Sequence, residues 1–214
     1  MTATGNSSSD PIADLQSRLA TLPADPPSPD RAEAAVLVLL RRGPKGLEVL
    51  AEQRAERPGD PWSGQVGLPG GRTEPTDQSL TDTVVRELHE EVGLLPSSLA
   101  DLPRLFDIRR ARPSGLRVAV FADILAAVPP ASSNVDSSEV TTTFWLPLQA
   151  LDQTVSRPRS TMFGQIYVET VVYEGHVVWG FTLRVLLDFV AWLESADGSV
   201  APESVLPPWR GQAM

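Results

Sequence analysis

The stretch Leu80-Thr81-Asp82-Thr83-Val84-Val85-Arg86-Glu87-Leu88-His89-Glu90-Glu91-Val92-Gly93-Leu94 changes the period of the chain to that of a helix. Leu80, Val84, Leu88 and Val92 fall four residues apart and form one apolar stripe, which predicts that this face packs on a core. Asp77 or Ser79 can cap the start, and Gly93 can end the helix in the left-handed conformation. With the stripe turned inward, Glu87 and Glu91 share a side, with Glu90 next to both. Like charges at these spacings cost a few tenths of a kcal/mol each, and no lysine of the stretch offsets them. An oxygen-seeking divalent cation such as magnesium would supply the missing charge. The alternative is a solvated helix face. Against it stands the preceding loop Leu68-Pro69-Gly70-Gly71, whose backbone can approach the same patch.

Upstream, Ala34 to Leu40 is a continuous apolar run suited to a strand buried on both faces. Leu47 to Arg54 follows the turn Gly43-Pro44-Lys45-Gly46, so the two runs read as a hairpin. Ala55 to Gly71 is irregular and glycine-rich. Downstream, strands are expected at Leu116 to Ile124, Val140 to Trp145 and Gln165 to Tyr173, and a helix from Phe181 to Leu193. This succession predicts an α/β fold, a mixed β-sheet between helices in an α/β/α sandwich. Residues 1–30 read as a flexible extension carrying a short amphipathic helix (Ile12, Leu15, Leu19, Leu22) and a Pro-rich linker. Residues 31–200 read as the one domain, and 201–214 as an irregular tail.

Composition narrows the function. The chain has 214 residues, a formal net charge of −9 and 42% hydrophobic residues, which suits one folded domain. The acidic balance disfavours a nucleic-acid polymer, whose backbone is met by clusters of Lys and Arg. With no cysteine, disulfides, thiolate metal centres and a cysteine nucleophile are excluded. Neither a secretory signal nor an apolar run of about 20 residues is visible, so a cytoplasmic protein without membrane association is expected. His89 and His176 are isolated and make no zinc site. His89 is expected to face solvent, and Trp62 and Trp145 could stack on a base or be buried.

Arg86, Glu87, Leu88, Glu90, Glu91, Gly93 and Leu94 together resemble the second half of the Nudix box, Arg-Glu-U-x-Glu-Glu-x-Gly-U with U aliphatic. The first half departs from that pattern. Gly71 stands one residue farther from Arg86 than is common, and Gln78 occupies the position of the expected acid, with Asp77 beside it. The longer loop Gly70-Gly71-Arg72-x-Glu74-Pro75-x-Asp77 is similar to the Nudix branch acting on coenzyme A. Arg54 and Arg57, followed by Gly64-Gln65-Val66-Gly67-Leu68-Pro69-Gly70-Gly71, resemble that branch's upstream segment in part. Trp145 to Leu148 and His176 to Thr182 also correspond, and the resemblance runs from about Ala34 to Leu193.

The resemblance implies a magnesium-dependent hydrolase, manganese substituting, that cleaves a diphosphate linkage in a small nucleotide-type substrate, with coenzyme A or acyl-CoA favoured. Glu87 and Glu91 would be the main metal ligands, Glu90 a further one, and the Gly70 and Gly71 carbonyls additional candidates. Arg86 would orient Glu87 or Glu90. The base that activates water is sought in the box or on a later loop, where Glu139 is the candidate. Arg54, Arg57 and Arg72 could meet the substrate phosphates. Nucleotide sugars, dinucleotides and nucleoside triphosphates stay open as substrates, as does a non-catalytic nucleotide-binding module. The resemblance also allows a homodimer.

Overall fold

The computed structural model describes residues 11–24, 32–60, 62–112, 114–126, 139–161 and 164–195. Residues 1–10, most of the Pro-rich stretch and the 201–214 tail lie outside the described residues. The predicted hairpin is present as β1 (Ala34–Gly43) and β2 (Gly46–Arg54), closed where Gly43 faces Gly46. The glycine-rich segment after it holds two very short strands, β3 (Val66–Gly67) on β2 and β4 (Gly70–Arg72) on β1. After α2 (Leu80–Val92) come β5 (Arg104–Arg110), β6 (Arg117–Ile124) and β7 (Val140–Pro147). β6 pairs parallel with β1, while β7 pairs antiparallel with β2. The result is a seven-stranded mixed sheet of order β3-β2-β1-β6-β5, with β4 and β7 joined to β1 and β2.

Alternation along β1 assigns the two faces of this sheet. Ala35, Leu37 and Leu39 join Leu50, Ala119 and Phe121 against Leu80, Val84 and Leu88 of α2. Val38 and Leu40 point the other way, into a second cluster with Val49, Ala51, Val120 and Leu146. That side is closed by α1 (Pro11–Leu19) and α3 (Gly180–Glu194), which contribute Leu15 and Leu19, and Leu183, Val185, Leu186, Phe189 and Trp192. Burying each of these large side chains is worth about 1.5–3 kcal/mol. The architecture is therefore the expected α/β/α sandwich. A second antiparallel sheet, β8 (Val155–Thr161), β9 (Gly164–Tyr173) and β10 (His176–Trp179), leads into α3.

The helix that sequence assigned to the N-terminal extension packs on the core. Leu15, Leu19 and Leu22 are buried, and Arg18 donates from Nη2 to the Trp192 and Ser195 carbonyls at 2.6 and 3.0 Å. It thereby satisfies carbonyls at the end of α3. Its guanidinium also lies over the Trp192 ring. α1 thus braces the sheet face opposite α2.

One buried acid on the α2 face is costly. Asp123 on β6 is 4% exposed, beyond Phe121. It accepts from the Ile124 N–H at 2.7 Å through Oδ1, while Oδ2 has no partner. Burial pushes its carboxyl up to about 7, partly opposed by the Ile124 N–H and the Arg104 charge. A folded-state value above the unfolded one stabilises at low pH, and that stability is lost as pH rises from about 4 through about 7. Asp123→Asn should therefore stabilise the protein by about 2–4 kcal/mol at pH 8 relative to pH 4. Urea denaturation at the two pH values checks this, and an equal wild-type-to-variant difference at both would refute it.

Candidate active site

α2 begins at Ser79, whose Oγ accepts from the Asp82 N–H at 3.0 Å. It ends at Gly93, which adopts φ 72° and donates to the His89 carbonyl. Of the two capping candidates, Ser79 is the cap. Fixed at both ends and seated by Leu80, Val84 and Leu88, the helix can lie in only one rotation. That rotation turns Glu87 and Glu91 toward β4 and leaves His89 and Glu90 exposed.

The glycine pair of β4 receives them. The Gly70 N–H donates to Glu91 Oε2 at 2.8 Å. Gly70 has φ 143°, and a Cβ there would stand 2.2 Å from the Ala35 carbonyl oxygen, so only glycine lets this strand lie so close to β1. A Cβ on Gly71 would stand 2.2 Å from Glu87 Oε1. The Glu87 carboxyl therefore occupies the space that a side chain at residue 71 would fill.

Arg86 ties the patch together. Its Nη1 donates to Glu87 Oε1 at 3.0 Å and to Glu90 Oε2 at 3.1 Å. Its Nε and Nη2 grip both oxygens of Asp77 at 3.1 and 3.0 Å, and Nη2 also reaches the Arg72 carbonyl. Such a planar fork fixes both the side chain and the loop. Asp77 additionally accepts from the Thr83 hydroxyl and the Glu74 N–H. Hydrogen bonding by Arg86 holds the Asp77 carboxyl down at about 2, and Arg86 is itself raised by Asp77. The neighbouring residue Gln78 is exposed, and its N–H donates to Asp82. Asp77 is thus the acid that anchors the loop to the helix.

Burial raises Glu87, with the neighbouring Arg86 charge pulling the other way. Glu91 is 4% exposed and Glu52 of β2 is 1% exposed. Their carboxyls face each other. Burial is the first cause holding both high, and for Glu91 the Glu52 charge is the second. Glu52 Oε2 has no hydrogen-bond partner. Sequence reasoning missed this residue. Its signal was an acid at the position in β2 where alternation from Leu50 calls for an inward side chain.

Beside this patch lie the other expected residues. Glu139, at the entrance to β7, is exposed and paired with Arg57 at 2.9 Å. Its charge is close enough to help raise both Glu52 and Glu87. Its carbonyl accepts from the Ala55 N–H, which holds the loop after β2 against β7. Arg54 pairs with Asp60 at 3.2 Å, and its charge lowers Glu52. Arg72 meets the patch through its carbonyl, its side chain being exposed. The structure therefore brings Arg86, Glu87, Glu90, Glu91 and Gly71 together, with Arg57 and Glu139 at the flank. His176 lies elsewhere, stacked on Phe144 with Nδ1 3.2 Å from Gln53 Oε1. Trp145 lies beneath the Arg41 guanidinium.

The donors fit a hard divalent cation: they are all oxygen, one buried carboxylate oxygen lacks a partner, and two buried carboxyls meet in a hydrogen bond. Among the described residues no group of three or more acidic or histidine side chains stands as a ready cage. Arg86 draws Glu87 and Glu90 to itself, while Glu91 turns to Gly70 and Glu52.

A mixed sheet between helices, with box carboxylates gathered on a glycine pair, defines a fold and a site of one type. The chain belongs to the Nudix family: the NUDIX domain model matches residues 31–163. It is 31% identical over 173 residues to a "probable nudix hydrolase" of Schizosaccharomyces pombe, covering 78% of this chain and 58% of that protein. It is also 31% identical over 129 residues to the "uncharacterized Nudix hydrolase NudL" of Yersinia pestis, covering 58% of this chain and 62% of that one. The chain thus spans about three fifths of the length of these curated relatives. Among solved structures it is similar to the NUDIX domain of Shewanella oneidensis NrtR complexed with ADP ribose. That match has 23% identity and TM-score 0.44, over 64% of this chain and 86% of that one. It is also similar to a C. elegans Ap4A hydrolase binary complex, with 18% identity and TM-score 0.43, over 55% and 81%.

The two glycines of β4 should respond differently to a methyl group. Gly70→Ala meets backbone at a positive φ and should cost at least about 2 kcal/mol, whereas Gly71→Ala meets only the Glu87 carboxyl and should cost under about 1 kcal/mol. Equal losses in chemical denaturation would contradict this account of the cradle.

Proposed function

We propose that the protein is a magnesium-dependent hydrolase of a diphosphate linkage in a small nucleotide-type substrate, coenzyme A or acyl-CoA being favoured. The observation that carries the reading is the arrangement of Glu87 and Glu91 on the Gly70-Gly71 strand, with Arg86 bridging Glu87 and Glu90. Manganese would substitute as another oxygen-seeking ion.

Glu87, Glu90 and Glu91 would hold the cation, with the Gly71 carbonyl as a further ligand. When bound, it supplies positive charge for the phosphoryl oxygens and orients the reacting groups. Arg86 acts through the carboxylates: it sets the direction of Glu87 and Glu90, and Asp77 fixes Arg86 in turn. Arg54, Arg57 and Arg72 border the patch and suit substrate phosphates. Glu139, on the same flank, is the proposed base for the attacking water, and its pair with Arg57 would have to open for it to serve. The partner is a small anionic molecule, since the net charge of −9 disfavours a nucleic-acid backbone.

What favours coenzyme A is the upstream segment, Arg54 and Arg57 with Gly64 to Gly71, together with the lengthened loop after Gly71. The loop keeps its contact with α2 because Asp77 takes the anchoring role. A homodimer stays part of the proposal through the family resemblance.

Glu87→Gln and Glu91→Gln should each lower magnesium-dependent turnover by about 100-fold or more while the circular dichroism spectrum is unchanged. Near-wild-type turnover would remove the catalytic assignment. Incubated with coenzyme A and magnesium, the protein should release 3′,5′-ADP and 4′-phosphopantetheine. Faster hydrolysis of a nucleotide sugar, ADP-ribose or Ap4A in the same panel would reject the favoured substrate and leave the diphosphate chemistry standing.

A further inference from the structure

The carboxylate that the box does not account for is Glu52. It sits in the most deeply buried part of β2, directly after Val49, Leu50 and Ala51, and is 1% exposed. A carboxyl in such a place costs several kcal/mol unless something compensates it. The compensation it finds is partial. Arg54, two residues on, directs its guanidinium to Asp60 and reaches Glu52 only through its field. Oε2 has no hydrogen-bond partner, and the one side chain hydrogen-bonded to Glu52 is itself an acid, Glu91. A valine or threonine would fill an inward strand position at no electrostatic cost.

The surroundings leave room around this acid. Across the sheet Glu52 pairs in register with Gly67, and even an added Cβ there would stand 3.6 Å from Glu52 Oε1. Three residues on, Gly70 binds Glu91. The short strands β3 and β4 therefore place Glu52 and Glu91 on one side of the same glycine-rich segment. Two facing acceptors can be reconciled by one shared proton or by one cation that takes an oxygen from each.

We propose that Glu52 is a fourth carboxylate of the divalent-cation site, delivered from the sheet to meet Glu91 and Glu87 from the helix. This rests on the reading that the box glutamates hold a cation. The site then has three supports: α2, the β4 glycines and β2. Glu52 holds the ion directly or steadies Glu91 as its ligand, and in either case the ion depends on its charge.

The test is binding of Mn2+ alone to the full chain, followed by electron paramagnetic resonance and by the metal-induced rise in Tm. Glu52→Gln keeps the volume and can still hydrogen-bond to Glu91. It should weaken Mn2+ binding by about 10-fold or more and shrink the Tm rise, with the metal-free Tm equal to or above wild type. An affinity within about twofold of wild type would overturn the proposal, leaving Glu52 a buried partner of Glu91. Glu52→Asp, which keeps the charge but withdraws it by one methylene, should also weaken binding, and decides the matter if the Gln variant does not fold. Glu91→Gln separates the two readings. Weakened binding in Glu91→Gln with none in Glu52→Gln removes only the role of Glu52, whereas unchanged binding in both removes the cation reading itself.

Discussion

The seating of α2 on the Gly70-Gly71 strand is the contact on which everything functional depends. The charges of Glu87, Glu90 and Glu91 repel one another along the helix, and its apolar stripe, its caps, Arg86 and the β4 glycines hold it in place against that repulsion. The stripe of Leu80, Val84 and Leu88 fixes rotation, and the Gly70 N–H fixes Glu91. The absence of a side chain at residue 71 leaves space for Glu87. The sheet exists in this form because β4 can approach β1 closely, which again requires glycine at 70. The fold core and the carboxylate patch are thus two sides of one packing contact.

Charge organisation follows from that contact. Arg86 lies between two glutamates of α2, the loop acid Asp77 and the Arg72 carbonyl of β4, so one guanidinium ties together three segments of local structure. Deeper in, no described cation pairs directly with Glu52 or Glu91, the Arg54 charge offsets Glu52 only in part, and burial holds both carboxyls high. An outer layer neutralised by arginine above an inner layer left acidic is an arrangement that spends stability to keep oxygen donors together.

Much of the architecture was legible because buried elements repeat with their own period. β1, β2, β6, β7, β9, α2 and α3 lie where apolar runs or stripes placed them. β5 escaped because Arg104, Asp107, Arg109 and Arg110 break its apolar pattern, and Arg109 is buried only by virtue of its pairs with Asp107 and Asp188. β8 contains Pro158 and exposed Arg157, features of an edge strand that carry little hydrophobic signal. β3 and β4, of two and three residues, are too short for any period. At the site, the box carried Arg86, Glu87, Glu90 and Glu91, since helical spacing alone makes them neighbours. Asp77 was legible as a capping candidate and as the residue beside an expected acid, but not as the anchor of Arg86, because which of two adjacent side chains meets Arg86 depends on the path of the loop. Glu52 depends on a long-range strand pairing that brings it to Glu91, and no local pattern encodes that meeting.

Manganese anomalous diffraction from crystals soaked in Mn2+ tests the central claim most directly. One strong peak is expected, bounded by the carboxylates of Glu87 and Glu91 and the backbone of Gly71. A peak elsewhere on the protein, with that patch empty at saturating Mn2+, would contradict it.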